Sequence, residues 1–91
     1  MQASLAVNDI VDYSKDVRVF PNPVTDFVNI ENYSKEDIKS LSIFNSVGQR
    51  VYHVNRPENK TTVDVSGFAS GVYYAEILLG AEKVSKKIIV K

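Results

Sequence analysis

The sequence predicts an all-β protein, an immunoglobulin-like antiparallel β-sandwich of about seven short strands. Three observations carry this expectation. From Val17 onward, apolar residues recur with period two in short runs spaced about ten residues apart. Gly, Asn and Pro punctuate the gaps between the runs. No stretch of about a dozen residues carries the apolar spacing of an amphipathic helix.

The elements follow in order. Residues 1–16 are weakly patterned. Leu5, Val7 and Ile10-Val11 would suit a short first strand, whereas Asp9, Asp12, Lys15 and Asp16 suit a solvated linker and processing region. The body of the domain is expected over 17–91. Val17 and Val19 alternate with Arg18 as the first run, which Phe20-Pro21-Asn22-Pro23 interrupts. Two prolines fix φ and remove two backbone donors, so this segment cannot sit mid-sheet. It is expected as an extended entrance, with Phe20 stapled to the core. Val28 and Ile30 share one face of the second run, and Asn32–Asp37 is a polar turn. The third run, Ile38–Phe44, aims Leu41 and Ile43 one way. Gly48 can take φ > 0 and close a bulged hairpin onto the fourth run, Arg50–Val54.

After a loop at Pro57–Lys60, Thr61–Val65 forms the fifth run, with Val63 and Val65 in phase. Ser66–Gly71 is expected as a compact corner with Phe68 plugged into the core. Val72–Leu79 is the longest run, carrying Tyr73, Ala75 and Ile77 on one face and Val72, Tyr74 and Leu78 on the other. Apolar groups on both faces suggest a central strand. Gly80-Ala81 turns the chain into Glu82–Lys91, which places Ile88 and Val90 inward.

Composition sets the outer limits. Ninety-one residues allow one domain, and 44% apolar with 24% charged residues is ordinary for a globular one. Eleven basic and eleven acidic residues cancel, so nucleic-acid binding has little electrostatic support. There is no Cys, hence no disulfide framework or thiolate metal site. No apolar run approaches the length that spans a bilayer. MQASLAVNDI lacks the basic and apolar regions of a signal peptide. If the protein is exported, this chain is expected to be a fragment with its export signal upstream.

The sequence assigns no catalytic, cofactor-binding or metal residues, and the chain is not expected to be an enzyme. Its single histidine, His53, sits inside a strand run and is expected at the surface or in a hydrogen bond. No Ser-His-Asp or Cys-His set assembles around it. Asp9, Asp12 and Asp16 lack the Gly and terminal Glu of a calcium loop. The glycines at 48, 67, 71 and 80 stand in turns and form no phosphate loop. Asn32-Tyr33-Ser34 and Asn59-Lys60-Thr61 are formal glycosylation sequons. Five tyrosines could form a sugar-stacking platform, but core use is the simpler reading because Tyr73 and Tyr74 point to opposite faces.

Four features in a fixed order remain: Phe20-Pro21-Asn22-Pro23-Val24 with Asp26; Ile43-Phe44-Asn45-Ser46-Val47-Gly48-Gln49-Arg50-Val51; Val63-Asp64-Val65-Ser66 leading to Gly71-Val72-Tyr73; and Lys86-Lys87-Ile88-Ile89-Val90-Lys91. Together they resemble the type A C-terminal sorting domain of type IX secretion cargo proteins from Bacteroidetes. The resemblance covers Val17 to Lys91. Its one departure is Phe20, where Tyr is commoner before PNP. It implies a C-terminal secretion signal carried behind an upstream cargo domain. Outer-membrane translocon components recognise such a signal after periplasmic transit. A sortase-like peptidase then removes it, and the cargo is anchored to lipopolysaccharide at the cell surface or released. The residues it implies as recognition contacts are Phe20, Pro21, Asn22, Pro23, Gly71, Tyr73, Lys86, Lys87, Ile88, Ile89, Val90 and Lys91. No cofactor is implied.

Each contact has a plainer structural reading. The prolines turn the chain into the sandwich, Gly71 relieves a corner and Tyr73 anchors the core. Lys83, Lys86, Lys87 and Lys91 guard an edge strand. The alternative function is an adhesion or carbohydrate-binding β-sandwich module. A mobile first segment beside an exposed edge could also allow a strand-exchanged homodimer.

Overall fold

A computed structural model describes residues 13–91, in which the period-two runs form seven strands. They are β1 (Val17–Phe20), β2 (Phe27–Asn32), β3 (Ile38–Asn45), β4 (Arg50–Asn55), β5 (Lys60–Asp64), β6 (Gly71–Leu79) and β7 (Glu82–Val90). One sheet has the order β1-β2-β5 and the other β4-β3-β6-β7, with every neighbouring pair antiparallel. This is the expected immunoglobulin-like sandwich. A strand's period of two supplies one inward set per strand. Val17, Val28, Ile30 and Val63 come from the three-stranded sheet. Leu41, Ile43, Ala75, Ile77, Leu79, Val84, Ile88 and Val90 come from the four-stranded one. β6 is central, as its apolar faces predicted.

Four local outcomes differ from the sequence expectation. Phe20 does not staple the core: it is 37% exposed and lies beneath the Arg18 guanidinium, 5.7 Å from the ring centre. The cause is parity, since Val17 and Val19 take the inward positions of β1 and leave Arg18 and Phe20 outside. Residues 21–23 bend rather than run extended, and both prolyl bonds are cis. Ile38 is buried out of phase with Leu41 because the register with β6 slips between Ile38 and Ser40. The fifth strand ends at Asp64, one residue early. Val65 is still buried, and its N–H donates to the Asp26 carbonyl at 2.7 Å.

The corners follow the chemistry of their side chains. Gly48 takes φ 87° in the β3–β4 turn, where the Asn45 side-chain oxygen accepts the Val47 and Gln49 N–H groups. At the β5–β6 corner, the half-buried Phe68 packs on Tyr73 with ring centres 5.1 Å apart, and the Tyr73 hydroxyl donates to the Ala69 carbonyl at 2.6 Å. Asn32 is buried and binds four ways: its amide nitrogen donates to the Glu36 carbonyl and the Asn59 side chain, and its oxygen accepts from the Ser34 N–H and hydroxyl. The two sequon asparagines thus brace the β2–β3 turn against the start of β5. Within the segment expected as linker, Tyr13 packs against the core and Ser14–Asp16 form a single 3₁₀ turn. Leu5, Val7, Asp9, Ile10, Val11 and Asp12 lie outside the described residues.

Two residues, Tyr73 and Asp64, check this account. Tyr73→Ala should lower unfolding stability by about 3–5 kcal/mol, the cost of truncating a buried aromatic. Tyr73→Phe should cost only about 1 kcal/mol, for the lost Ala69 bond. A denaturant midpoint for Tyr73→Ala close to wild type would show that the corner is not anchored there. Asp64 concerns pH. The Ser66 hydroxyl and N–H both donate to its carboxylate, at 2.6 and 2.9 Å, and hold its pKa below the ordinary aspartate value. A depressed folded pKa adds stability that is present above the ordinary carboxyl range and lost as pH falls through the lowered value. The Asp64 carboxyl carbon should therefore titrate low by NMR, and Asp64→Asn should flatten the acid limb of the stability curve.

Candidate functional site

The two prolines remove two of the three backbone donors of the Pro21–Pro23 segment, and the side chain between them supplies bonds of its own. Asn22 Nδ2 donates to the Lys87 carbonyl at 2.9 Å, and Asn22 Oδ1 accepts the Ile89 N–H at 2.9 Å. A primary amide carries a donor and an acceptor side by side, as a peptide group does. Asn22 therefore satisfies the outer edge of β7 as a neighbouring strand would. Two residues later the backbone takes over. The Val24 N–H donates to the Ile89 carbonyl at 2.8 Å and the Lys91 N–H donates to the Val24 carbonyl at 2.9 Å, forming a parallel bridge between Val24 and Val90. Val24 itself is 1% exposed. It fills the anchoring role expected of Phe20.

This clasp joins the sequence motifs in space. Along β7 and β6, Val90 opposes Gly71, Ile89 opposes Val72, Ile88 opposes Tyr73 and Lys87 opposes Tyr74. Along β6 and β3, Tyr73 opposes Asn45 and Tyr74 opposes Phe44. The proline strip, the last strand, the G-x-Y segment and the end of β3 lie side by side in that order. A shallow groove opens next to them, between the turn at Asn45–Val47 and the corner at Ala69–Gly71.

The residues singled out from sequence divide by accessibility. Phe20, Pro21, Asn22, Pro23, Gly71, Lys87, Ile89 and Lys91 are exposed. Tyr73, Ile88 and Val90 are buried and can contribute only by holding the others in place. Lys86 corrects the expectation of one exposed lysine cluster. It shares the inward phase of Val84 and Ile88, is half-buried, and donates from Nζ to the Ser14 carbonyl at 2.5 Å. An inward-pointing charge on the outermost strand is a device against edge-to-edge pairing. Lys83, which faces outward, lies 3.9 Å from Glu76. Sequence reasoning missed Val24 as an anchor; its signal was a β-branched residue directly after the second proline.

Elsewhere the chemistry is sparse. Among the described residues no three His, Cys, Asp or Glu side chains are grouped to hold a metal ion. His53 is hydrogen-bonded on both sides. Its Nε2 lies 3.0 Å from Asn55 Oδ1, which can only accept, so in the neutral ring Nδ1 accepts the Ser42 hydroxyl at 2.7 Å. The exposed tyrosines form no platform. Tyr33, just past β2, donates to Glu31 and sits under Lys60, whereas Tyr74 is on β6 of the other sheet. The Glu31 carboxylate holds the Tyr33 hydroxyl above its ordinary pKa by accepting its proton in a hydrogen bond.

The molecule is an Ig-like sandwich whose last strand is clasped by its own entrance strip. The chain belongs to the family of secretion system C-terminal sorting domains, which it matches over residues 18–91, from β1 through Lys91. A domain of this family is a type IX secretion sorting signal, a tag on a cargo. Membership implies an upstream cargo, a secretion machinery that recognises the tag, and export toward the cell surface or the extracellular space. Comparison with curated proteins finds no match.

The clasp is directly testable. Asn22→Ala removes two hydrogen bonds to β7 and should cost about 1–2 kcal/mol. It should also speed hydrogen exchange at the Ile89 amide far more than at the Ile77 amide in the centre of β6. Equal protection at Ile89 in wild type and variant would show that Asn22 does not hold the edge.

Proposed function

We propose that this domain is the folded address label of an exported cargo. Outer-membrane translocon components read it after passage through the periplasm. A sortase-like peptidase then cuts within residues 1–16, and the cargo is anchored to surface lipopolysaccharide or released. The observation that carries the reading is the clasp. In a chain of the sorting-domain family, it draws the proline strip, the G-x-Y segment and the last strand into one surface. A receptor that reads this surface reads a folded state, because Tyr73, Ile88 and Val90 hold it from within the core. Cleavage ahead of β1 leaves the whole sandwich intact. The clasp also covers part of the β7 edge and so works against strand exchange between copies. Adhesion or carbohydrate binding gains no support from tyrosines that lie on different sheets.

The test is a reporter fused behind a signal peptide and ahead of residues 1–91, expressed in a bacterium with a working type IX system. The reporter should reach the cell surface or medium and be freed from the domain. In a parallel fusion, Ile88→Ser with Val90→Ser buries two hydroxyls in the core and should unfold the domain. That fusion should be retained. Equal export of the unfolded fusion would sink the claim that the signal is read as a fold.

A further inference from the structure

The outer face of the four-stranded sheet is divided in two. In one half, polar groups satisfy one another. Ser42 opposes both His53 and Glu76, and Glu76 opposes Ser85. His53 binds Ser42 and Asn55, and Glu76 is the partner of Lys83. The other half is apolar. Phe44 opposes Tyr74, Val72 opposes Ile89, and Val51 lies at the bulge beside Phe44. Directly opposed side chains sit about 5 Å apart, so these five form one continuous patch. Tyr74 is 42% exposed, Val51 41% and Ile89 38%. Arg50 opposes Phe44 on one flank and Lys87 opposes Tyr74 on the other. Among the described residues neither cation has a carboxylate partner.

We infer that Phe44, Val51, Val72, Tyr74 and Ile89 form the docking surface for a protein partner whose apolar contact area is rimmed by carboxylates. Apolar patches with a polar rim mark interaction sites, and exposed aromatics beside arginine are the usual anchors of protein interfaces. Charge selects the partner. A second copy would bring Arg50 and Lys87 against their like, and Glu76 is already held by Lys83. An anionic membrane surface calls for clusters of about four to eight cations, more than the two on this rim. A carboxylate-rimmed protein surface satisfies both cations and covers the patch. Ile89 ties the surface to the clasp, since Asn22 and Val24 hold its backbone. The inference rests on the sorting-signal reading, and the partner is then a component of the export machinery.

The reporter fusion tests it with two paired variants, Tyr74→Ser with Ile89→Ser and Arg50→Glu with Lys87→Glu. Exposed substitutions leave folding largely unchanged, which thermal unfolding of the purified domain checks, and the charge pair is decisive if the serine pair loses stability. Each pair should lower surface reporter about tenfold or more, as loss of a central contact does. A wild-type fusion that is not exported removes the sorting reading and this inference with it. Export of the wild type and of both variant pairs at equal levels removes the inference alone. Loss in the serine pair without loss in the charge-reversed pair overturns the carboxylate rim. Flotation of the wild-type domain with phosphatidylglycerol vesicles, abolished by the serine pair, would assign the patch to a membrane. A dimer in sedimentation velocity, abolished by the same pair, would assign it to a second copy.

Discussion

One side-chain amide connects the beginning of this sandwich to its last strand. The prolines on either side of Asn22 leave the segment one backbone N–H among three residues. The Asn22 amide supplies a donor and an acceptor to Lys87 and Ile89. Once it is seated, Val24 falls into line with Val90 and its side chain closes the core. Without that amide, β7 would leave the Lys87 carbonyl and the Ile89 N–H open to an extended chain, and only the Val24 backbone would hold the strip to the last strand. Edge protection at Lys87 and Ile89, and the docking of the proline strip beside the last strand, rest on this contact.

The sandwich shows how function is fitted around a packing problem. The inward positions of β6 from Tyr73 to Leu79 and most of those of β7 are spent on the core. The surface open to any partner is therefore the edge strip, the turns and the outer faces of the two sheets. The motif residues obey this division: Tyr73, Ile88 and Val90 hold the scaffold, while Asn22, Lys87 and Ile89 face the solvent. Lys86 is the exception. It takes an inward position at the margin and reaches the Ser14 carbonyl, so a charge is kept where an apolar residue would have extended the core.

Most of the fold was legible in the sequence because its signals are local. Period two identified the inward faces of β2, β5, β6 and β7, and Gly48 announced the hairpin it closes. What was not legible depends on contacts between distant residues or on a slip of register. The bulge that turns Ile38 inward leaves no mark in the order of residues. Parity alone could have placed Phe20 outside, since it falls on the side of Arg18, but the expectation of an aromatic staple overrode it. Val24 and Asn22 could not be paired with Val90 and Ile89 from the sequence, because period-two reading says nothing of which distant strands meet. For the candidate site, the motifs were visible individually. Their adjacency, and the apolar outer patch formed by side chains from four strands, became visible only in the folded chain.

The clasp spans almost the whole domain. Asn22 reaches partners 65 and 67 residues further along the chain. Contacts of such sequence separation carry a large loop-closure cost and slow folding. During synthesis the proline strip emerges early and must wait for β7 before its amide has anything to bind. A polypeptide interrupted anywhere before Lys87 cannot assemble the finished surface, however well its earlier part has folded. The clasp thus reports on the whole length of the domain: it exists only where the last strand is present and paired.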